Sequence, residues 1–213
     1  MPEQVVVVGA SGFGRESLDV LDALVRDGAP IEIRGVVDDN PHPDDRARLE
    51  ARGVAYLGTI EAGLLAAGSL SYVLGIGSPT VRRRLVERCD AAGLTAYTAV
   101  HPSAAIGTQP AIAPGSVVCA RAVVSTNVTL GRHTHINPNA TIGHDSVLED
   151  FVSMNPGAVV SGAVTIGTGT LVGASATILQ NLVIGSGVTV GAGAVVTRDV
   201  PDGVIVKGVP GRW

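Results

Sequence analysis

Aliphatic side chains recur at every sixth position through nearly half of this chain, from Ile106 to Val196. The run is Ile106, Ile112, Val118, Val124, Leu130, Ile136, Ile142, Leu148, Met154, Val160, Ile166, Val172, Ile178, Ile184, Val190 and Val196, and the count never slips. A period of six held this long is the mark of a β-solenoid in which each hexapeptide makes one short strand and one turn. Three hexapeptides close a triangular coil of eighteen residues, and the aliphatic side chain points into the prism, stacked on its counterparts one coil away. The position two before it is small or apolar in most repeats, as at Ala122, Ala140, Ala158, Ala176 and Ala194. The position after it is often glycine, as at Gly107, Gly143, Gly167 and Gly185. The Gly, Asn and Ser beside the aliphatic residue are expected at the corners, where a Cβ is costly or φ is unusual. The repeats amount to a little over five coils, a prism roughly 25 Å long whose ends need covering.

Composition agrees with a prism filled by Val, Ile and Ala. Only 3% of the 213 residues are aromatic, yet mean hydropathy is +0.36. No apolar run approaches membrane-spanning length, so no membrane insertion is expected. A net charge of −4 gives no electrostatic case for nucleic acid or an anionic membrane. Strand-like Val5–Val8 follows Met1-Pro2-Glu3-Gln4 directly, without the basic start of a signal peptide, and two cysteines, Cys89 and Cys119, suit a reducing compartment. The expected location is cytoplasmic.

Residues 1–101 read as a separate α/β domain, residues 102–197 as the solenoid and residues 198–213 as a tail that covers its last coil. In the first domain Val5–Val8 suits a buried parallel strand. It runs into Gly-Ala-Ser-Gly-Phe-Gly, Gly9 to Gly14, and then a helix with Leu18, Leu21, Leu24 and Val25 on one face and Gly28 past its end. Further strands are expected at Ile31–Val37, Val54–Leu57, Tyr72–Ile76 and Thr95–Val100, with helices from about Ile60 to Ala67 and from Thr80 to Ala92, and a loop or short helix between Pro41 and Arg52. This alternation gives a small parallel sheet. His101-Pro102-Ser103 is the joint. In the tail, Pro201, Gly203, Gly208, Pro210 and Gly211 break the repeat, with Trp213 expected to pack there.

Gly9–Gly14 lies where a strand turns into a helix, so its N–H groups can approach a phosphate at a helix N-terminus. The spacing is G-x-x-G-x-G, not the dinucleotide fingerprint. Asp38, at the end of the second strand, is placed as a ribose-binding acid would be. The alternative is a tight turn with no ligand. Among five histidines, His144 falls at a solenoid corner beside Asp145. An ordinary histidine, with a pKa near ~6.5, suits general-base work, and an adjacent carboxylate can fix its tautomer. The alternative is a solvated corner histidine. His133, His135 and His144 lack the five-residue spacing of histidine-zinc solenoids, so no metal is expected. One coil on from His135 is Ser153, and one coil on from Asn137 is Asn155, with Cys119 in the same column. A stacked corner ladder explains the asparagines equally well, and Cys119 has no adjacent base for a covalent role.

A GASGFG-type first domain, an unbroken hexapeptide solenoid with NPNATIGHD and FVSMNPGAVVSG, and a GVP tail together resemble the sugar O/N-acyltransferases. These include sialic-acid O-acetyltransferase-like proteins and nucleotide-amino-sugar N-acetyltransferases of the bacillosamine and perosamine type. The resemblance spans the whole chain. It implies a Rossmann-like domain followed by a left-handed parallel β-helix, acetyl-CoA as co-substrate, a nucleotide-sugar acceptor and a homotrimer. It places Gly9, Ser11, Gly12, Gly14 and Asp38, with Gly77 and Ser78, at the nucleotide. His144 matches the family's base, Asp145 the acid after it, and Asn137 a position near the sugar amine. Some relatives carry a histidine nine after the base; here Ser153 stands there, able to donate a hydrogen bond to a thioester carbonyl but not to share a proton as imidazole does. Gly173, Ala174, Gly191 and Ala192 match the strip along which pantetheine runs, and Lys207 lies in the segment that meets coenzyme A. The expected reaction is direct N-acetylation of an amino sugar at its 4-amino group. O-acetylation of a sialic-acid-like sugar, or a non-catalytic nucleotide-sugar-binding scaffold, are the alternatives.

Overall fold

A computed structural model describes residues 1–65 and 70–213. The chain forms two compact units, Met1–Pro102 and Ser103–Trp213. The first is a parallel α/β sheet, the second a parallel β-solenoid. Among the described residues no helix is long and apolar enough to cross a membrane.

The first unit begins with β1 (Glu3–Val8), α1 (Gly12–Arg26) and β2 (Ile31–Val37), then α2 (Pro43–Ala51), α3 (Ile60–Leu65), β3 (Ser71–Leu74), α4 (Pro79–Ala91) and β4 (Thr95–Ala96). All pairings in this sheet are parallel, in the order β2-β1-β3-β4. Val5–Val8 are fully buried, as a central strand requires. The buried face of α1 centres on Gly14, Ser17, Leu18 and Leu21, and Val25 is exposed rather than on it. Gly28, at φ +94°, closes that helix as Ala29 N–H donates to Leu24 O. The polar stretch after Pro41 is a true helix. The strand expected at 54–57 is one bridge, Val36 to Tyr56, because Gly58 and the turn after Leu57 leave no length for a ladder. Ala67, the expected end of the next helix, lies outside the described residues. The strand expected over 95–100 is two two-residue pieces, Thr95–Ala96 and Ala99–Val100.

In the solenoid every hexapeptide contributes a two-residue strand, and the strands stack in register eighteen residues apart on three faces. Each face takes its name from a central aliphatic residue. Val117–Val118, His135–Ile136, Ser153–Met154, Leu171–Val172 and Thr189–Val190 form the Ile136 face. Val123–Val124, Thr141–Ile142, Val159–Val160 and Thr177–Ile178 lie on the Ile142 face, and Thr129–Leu130, Val147–Leu148 and Thr165–Ile166 on the Leu148 face. The inward residues from Val118 to Val196 are at most 1% exposed. Four hydroxyls share that interior: Ser116, Ser146 and Thr170 each donate to a carbonyl of a neighbouring turn, and Thr134 donates to Ser116 Oγ. Burying a hydroxyl without such a partner costs ~1–3 kcal/mol.

The two corner demands expected at one position fall in two columns. Every sixth residue from Gln109 to Gly193 has φ between 54° and 78°, and that left-handed column includes Asn127, Asn139, Asp145 and Asn181 as well as glycines. The glycines directly after the aliphatic residue have no such φ. A Cβ there meets the next coil: on Gly143 it is 2.5 Å from the carbonyl carbon of Ser161. Beyond Val196 the tail folds back onto the last coil. Ile205–Val206 pairs with Thr189–Val190, Val200 bridges Ile184, and Val206 is fully buried. Trp213 is half-exposed, with the Arg198 guanidinium 4.5 Å above its ring.

Candidate active site

In the α/β unit β1 lies between β2 and β3, so the chain order reverses at the β1–β3 pair. The turns following these strands face one crevice there, the usual ligand site of an open α/β sheet. Gly9 and Gly14 serve the packing of this crevice. Gly9 has φ +109°, a Cβ on Gly14 overlaps the Gly9 carbonyl oxygen, and a Cβ on Gly75 overlaps Gly14. Ser11 and Gly12 are the exposed members. Ser11 is the N-cap of α1 without using its side chain as a cap, and a Cβ on Gly12 meets nothing within 4 Å. Asp38 accepts hydrogen bonds from Ala10 N–H (2.8 Å) and Asn40 N–H (2.9 Å), so its carboxylate fixes the first turn. Ser78 caps α4, accepting from Val81 N–H, and Gly77 has open space around it. Arg82, buried, donates to Ile76 O and Gly77 O and braces that loop; burial pushes its pKa down to about 9, and it remains charged at neutral pH.

On the solenoid, His144 stands on the edge between the Ile142 and Leu148 faces. Its side chain is 63% exposed, and Nδ1 lies 2.7 Å from Asp145 Oδ2. Asp145 occupies the left-handed column at φ +59°, and Asn127, one coil earlier, donates from Nδ2 to Asp145 Oδ1 at 2.9 Å. The Asn127 amide, and after it His144, hold the Asp145 carboxyl below the usual carboxylate range. An ionised carboxylate only accepts, so Nδ1 carries the proton and the Nε2 lone pair is left for chemistry. Among the described residues Nε2 has no hydrogen-bond partner. A shallow groove beside the ring is lined by Ala105, Ile106, Val123, Val124 and Thr126.

A different edge, between the Ile136 and Ile142 faces, gathers most of the remaining candidates. Asn137, Asn155, Gly173 and Gly191 succeed one another there at single-coil steps, with Ala174 and Ala192 beside the glycines. Asn137 is buried and donates to Asn155 Oδ1 at 3.3 Å. Gly191 N–H donates to Val206 O, which brings the exposed Lys207 to the end of this strip. Ser153 is on the Ile136 face and buried. Within one chain, neither Ser153 nor the strip shares the edge of His144.

His133 and His135 are buried, and His133 stacks on Phe151 with ring centroids 5.5 Å apart. Neither is on the His144 edge. Among the described residues no group of three or more His, Cys, Asp or Glu side chains is placed to hold a metal ion. Cys89 and Cys119 are buried and not in a disulfide, and burial pushes the Cys89 thiol up to about 12. Asn127 and Gly162, the residues above and below the His144–Asp145 pair, were both reachable by counting eighteen from it.

A hexapeptide solenoid with an oriented imidazole on one edge, joined to a parallel α/β unit, defines the class of hexapeptide-repeat acyltransferases. Residues 4–89 match the PglD N-terminal domain model, and residues 163–198 match the bacterial transferase hexapeptide model. A search of curated protein sequences returns no match. Among solved structures, the acetyltransferase domain of PglB from Neisseria gonorrhoeae in complex with acetyl coenzyme A is 33% identical, with 100% of this chain and 99% of that chain covered and a TM-score of 0.89. PerB from Caulobacter crescentus, with CoA and GDP-perosamine, is 27% identical over 98% of this chain and 96% of that one, with a TM-score of 0.86. WeeI from Acinetobacter baumannii is 26% identical over 99% of each chain, with a TM-score of 0.84. The chain belongs to the sugar N-acetyltransferase family of hexapeptide-repeat enzymes, and its solenoid is their left-handed β-helix.

Proposed function

We propose that this enzyme transfers the acetyl group of acetyl-CoA to the amine of a nucleotide-linked amino sugar, at the 4-amino position, with His144 as general base. The oriented His144–Asp145 pair is the observation that carries this proposal. The CoA and GDP-perosamine bound to PerB, and the acetyl-CoA bound to the PglB domain, support the substrate classes. The first unit recognises the nucleotide through the open N–H groups at Ser11 and Gly12 and the loop at Gly77 and Ser78, with Gly9, Gly14 and Asp38 shaping that loop.

The strip Gly173-Ala174 and Gly191-Ala192 fits a pantetheine arm, because small side chains leave its backbone open, and Lys207 supplies a cation at its end. His144 and this strip lie on different edges of one prism. A site using both takes them from two copies, which supports a homotrimer with active sites between adjacent solenoids, Asn137 lying on the sugar side and Ser153 toward the thioester carbonyl.

His144 Nε2 accepts the proton of the amine as its nitrogen bonds to the thioester carbonyl carbon. The Asp145 carboxylate stabilises the imidazolium. The carbon–sulfur bond then breaks, and Nε2 returns the proton to the departing thiolate, so transfer is direct and both residues end unchanged. Positioning of the two substrates supplies much of the rate.

Turnover of acetyl-CoA with a panel of amino-sugar nucleotides tests the reaction class, and a set in which none is acetylated overturns it. His144→Ala is expected to lower kcat by about two to four powers of ten with little change in KM. Near-normal turnover in that variant removes His144 from the mechanism.

A further inference from the structure

The edge that carries His144 holds a glycine for which the backbone gives no reason. Gly162 lies one coil beyond His144. Its φ is not in the left-handed range, so conformation does not call for glycine. Nor is it one of the glycines directly after an aliphatic residue, whose missing Cβ clears the next coil's backbone. A Cβ on Gly162 meets the imidazole itself, 2.5 Å from both Cε1 and Nε2 and 3.0 Å from Cδ2. The ring of His144 therefore rests across Gly162.

The turn that presents Gly162 is fixed from inside the prism. Ser146 is fully buried, in a column otherwise filled by Val128, Val164 and Leu182. Its hydroxyl donates to Ser161 O at 3.2 Å and accepts from Val164 N–H at 3.2 Å. It so closes the Ser161–Val164 turn from below. Ser146 also follows His144 by two residues, and Ala163 N–H donates to His144 O at 2.7 Å. One hydroxyl and one backbone bond tie the histidine's turn to the turn beneath its ring.

We infer that Gly162 and Ser146 are positioning residues, a seat that holds the His144 imidazole against Asp145 with Nδ1 toward the carboxylate. Asp145 alone leaves an exposed ring free to swing about its χ angles. A flat glycine surface on the other side removes that freedom and keeps Nε2 where an acceptor amine can meet it. The catalytic consequence rests on His144 being the base; the seat itself does not.

The thermal midpoints of the wild type, Gly162→Ala, His144→Ala and the double variant test the contact directly. Gly162→Ala is expected to lower the midpoint of the wild type and to leave that of His144→Ala unchanged, because the new methyl then has room. An equal loss in both backgrounds, or failure to fold in both, overturns the seat. Nitrogen-15 spectra of the imidazole are expected to show the Nδ1–H tautomer in the wild type and a tautomer mixture in Gly162→Ala; an unchanged spectrum also overturns it. Kinetically, Gly162→Ala is expected to cost roughly a hundredfold in kcat, the scale of a ~1 Å misplacement. Ser146→Ala is expected to lower kcat with KM for both substrates held, and Ser146→Thr to restore it, since Thr170 makes the same pair of bonds in another turn, donating to Gly185 O and accepting from Val188 N–H. A Ser146→Ala enzyme with wild-type kcat and an unchanged imidazole spectrum removes Ser146 from the seat. If His144→Ala itself stays active, the base assignment fails while the midpoint cycle still reports on the seat.

Discussion

Asp145 joins backbone conformation and the proposed chemistry in one residue. It sits in the left-handed column, where aspartate is tolerated because its short polar side chain suits that backbone. The same geometry turns its carboxylate toward His144 Nδ1 and the Asn127 amide. With a neutral amide in its place, either the oxygen or the nitrogen can face Nδ1, and the tautomer is no longer fixed. Asp145→Asn is therefore expected to lower kcat by about ten- to a hundredfold with KM little changed, measured by steady-state kinetics. Asn127 has a separate, pH-dependent signature. Its amide is the largest cause of the depressed Asp145 pKa, so Asp145 adds stability above its ordinary value of 3.8 and loses it as pH falls through the lower folded value. Asn127→Ala is expected to melt below the wild type at every pH, since Asn127 lies at φ +57° where alanine is strained, and the difference is expected to shrink as pH falls through the lowered Asp145 value. A difference of the same size in acid and at neutral pH shows that the Asn127 amide does not act through Asp145. His144 and Asp145 could be singled out from a linear string because they are adjacent. Asn127 and Gly162 are reached only by counting one coil of eighteen residues from that pair, and what each does there depends on the side-chain contacts the coil makes.

The turn after β1 shows how one glycine-rich element divides its work. Gly14 is required by the crossing of backbones at Gly9 and Gly75, whereas Gly12 opens onto free space. Gly14→Ala is expected to unfold the α/β unit or to destabilise it by several kcal/mol, since its Cβ has no backbone that can yield. Gly12→Ala is expected to keep the fold, and to gain a few tenths to ~1 kcal/mol of helix stability, while raising KM for the nucleotide sugar alone. Thermal melts and acceptor-dependent kinetics separate the two. Gly12→Ala with an unchanged acceptor KM removes that N–H from nucleotide binding. The motif announced a strand-to-helix turn in the sequence. Which of its glycines are packed and which are open depended on where Gly75 arrives, far along the chain. Asp38 was subject to the same limit: its place at the end of β2 was readable, but its use in holding Ala10 N–H follows from the sheet order.

At the scale of the molecule, the proposed base and the proposed cofactor strip occupy two edges of one prism, and this division gives the assembly a direct test. Ala192 is exposed, so Ala192→Trp blocks the strip without entering the core. His144→Ala and Ala192→Trp chains are each expected to be inactive alone. Co-expressed, they are expected to recover about one quarter of wild-type activity, the share of randomly mixed interfaces that pair an intact base with an intact strip. No recovery in a mixture that light scattering shows to be trimeric places both halves of the site in one chain. The sequence by itself determined the solenoid, the α/β unit and the residues worth testing, because a six-residue stacking period and strand–helix alternation are local patterns repeated along the chain. Tertiary structure decided which edge each residue stands on, which glycines answer to φ, which to packing and which to an imidazole, and that His144 has its Nδ1 proton directed to a carboxylate. Those facts depend on contacts eighteen or more residues apart, made only when one coil closes on the next.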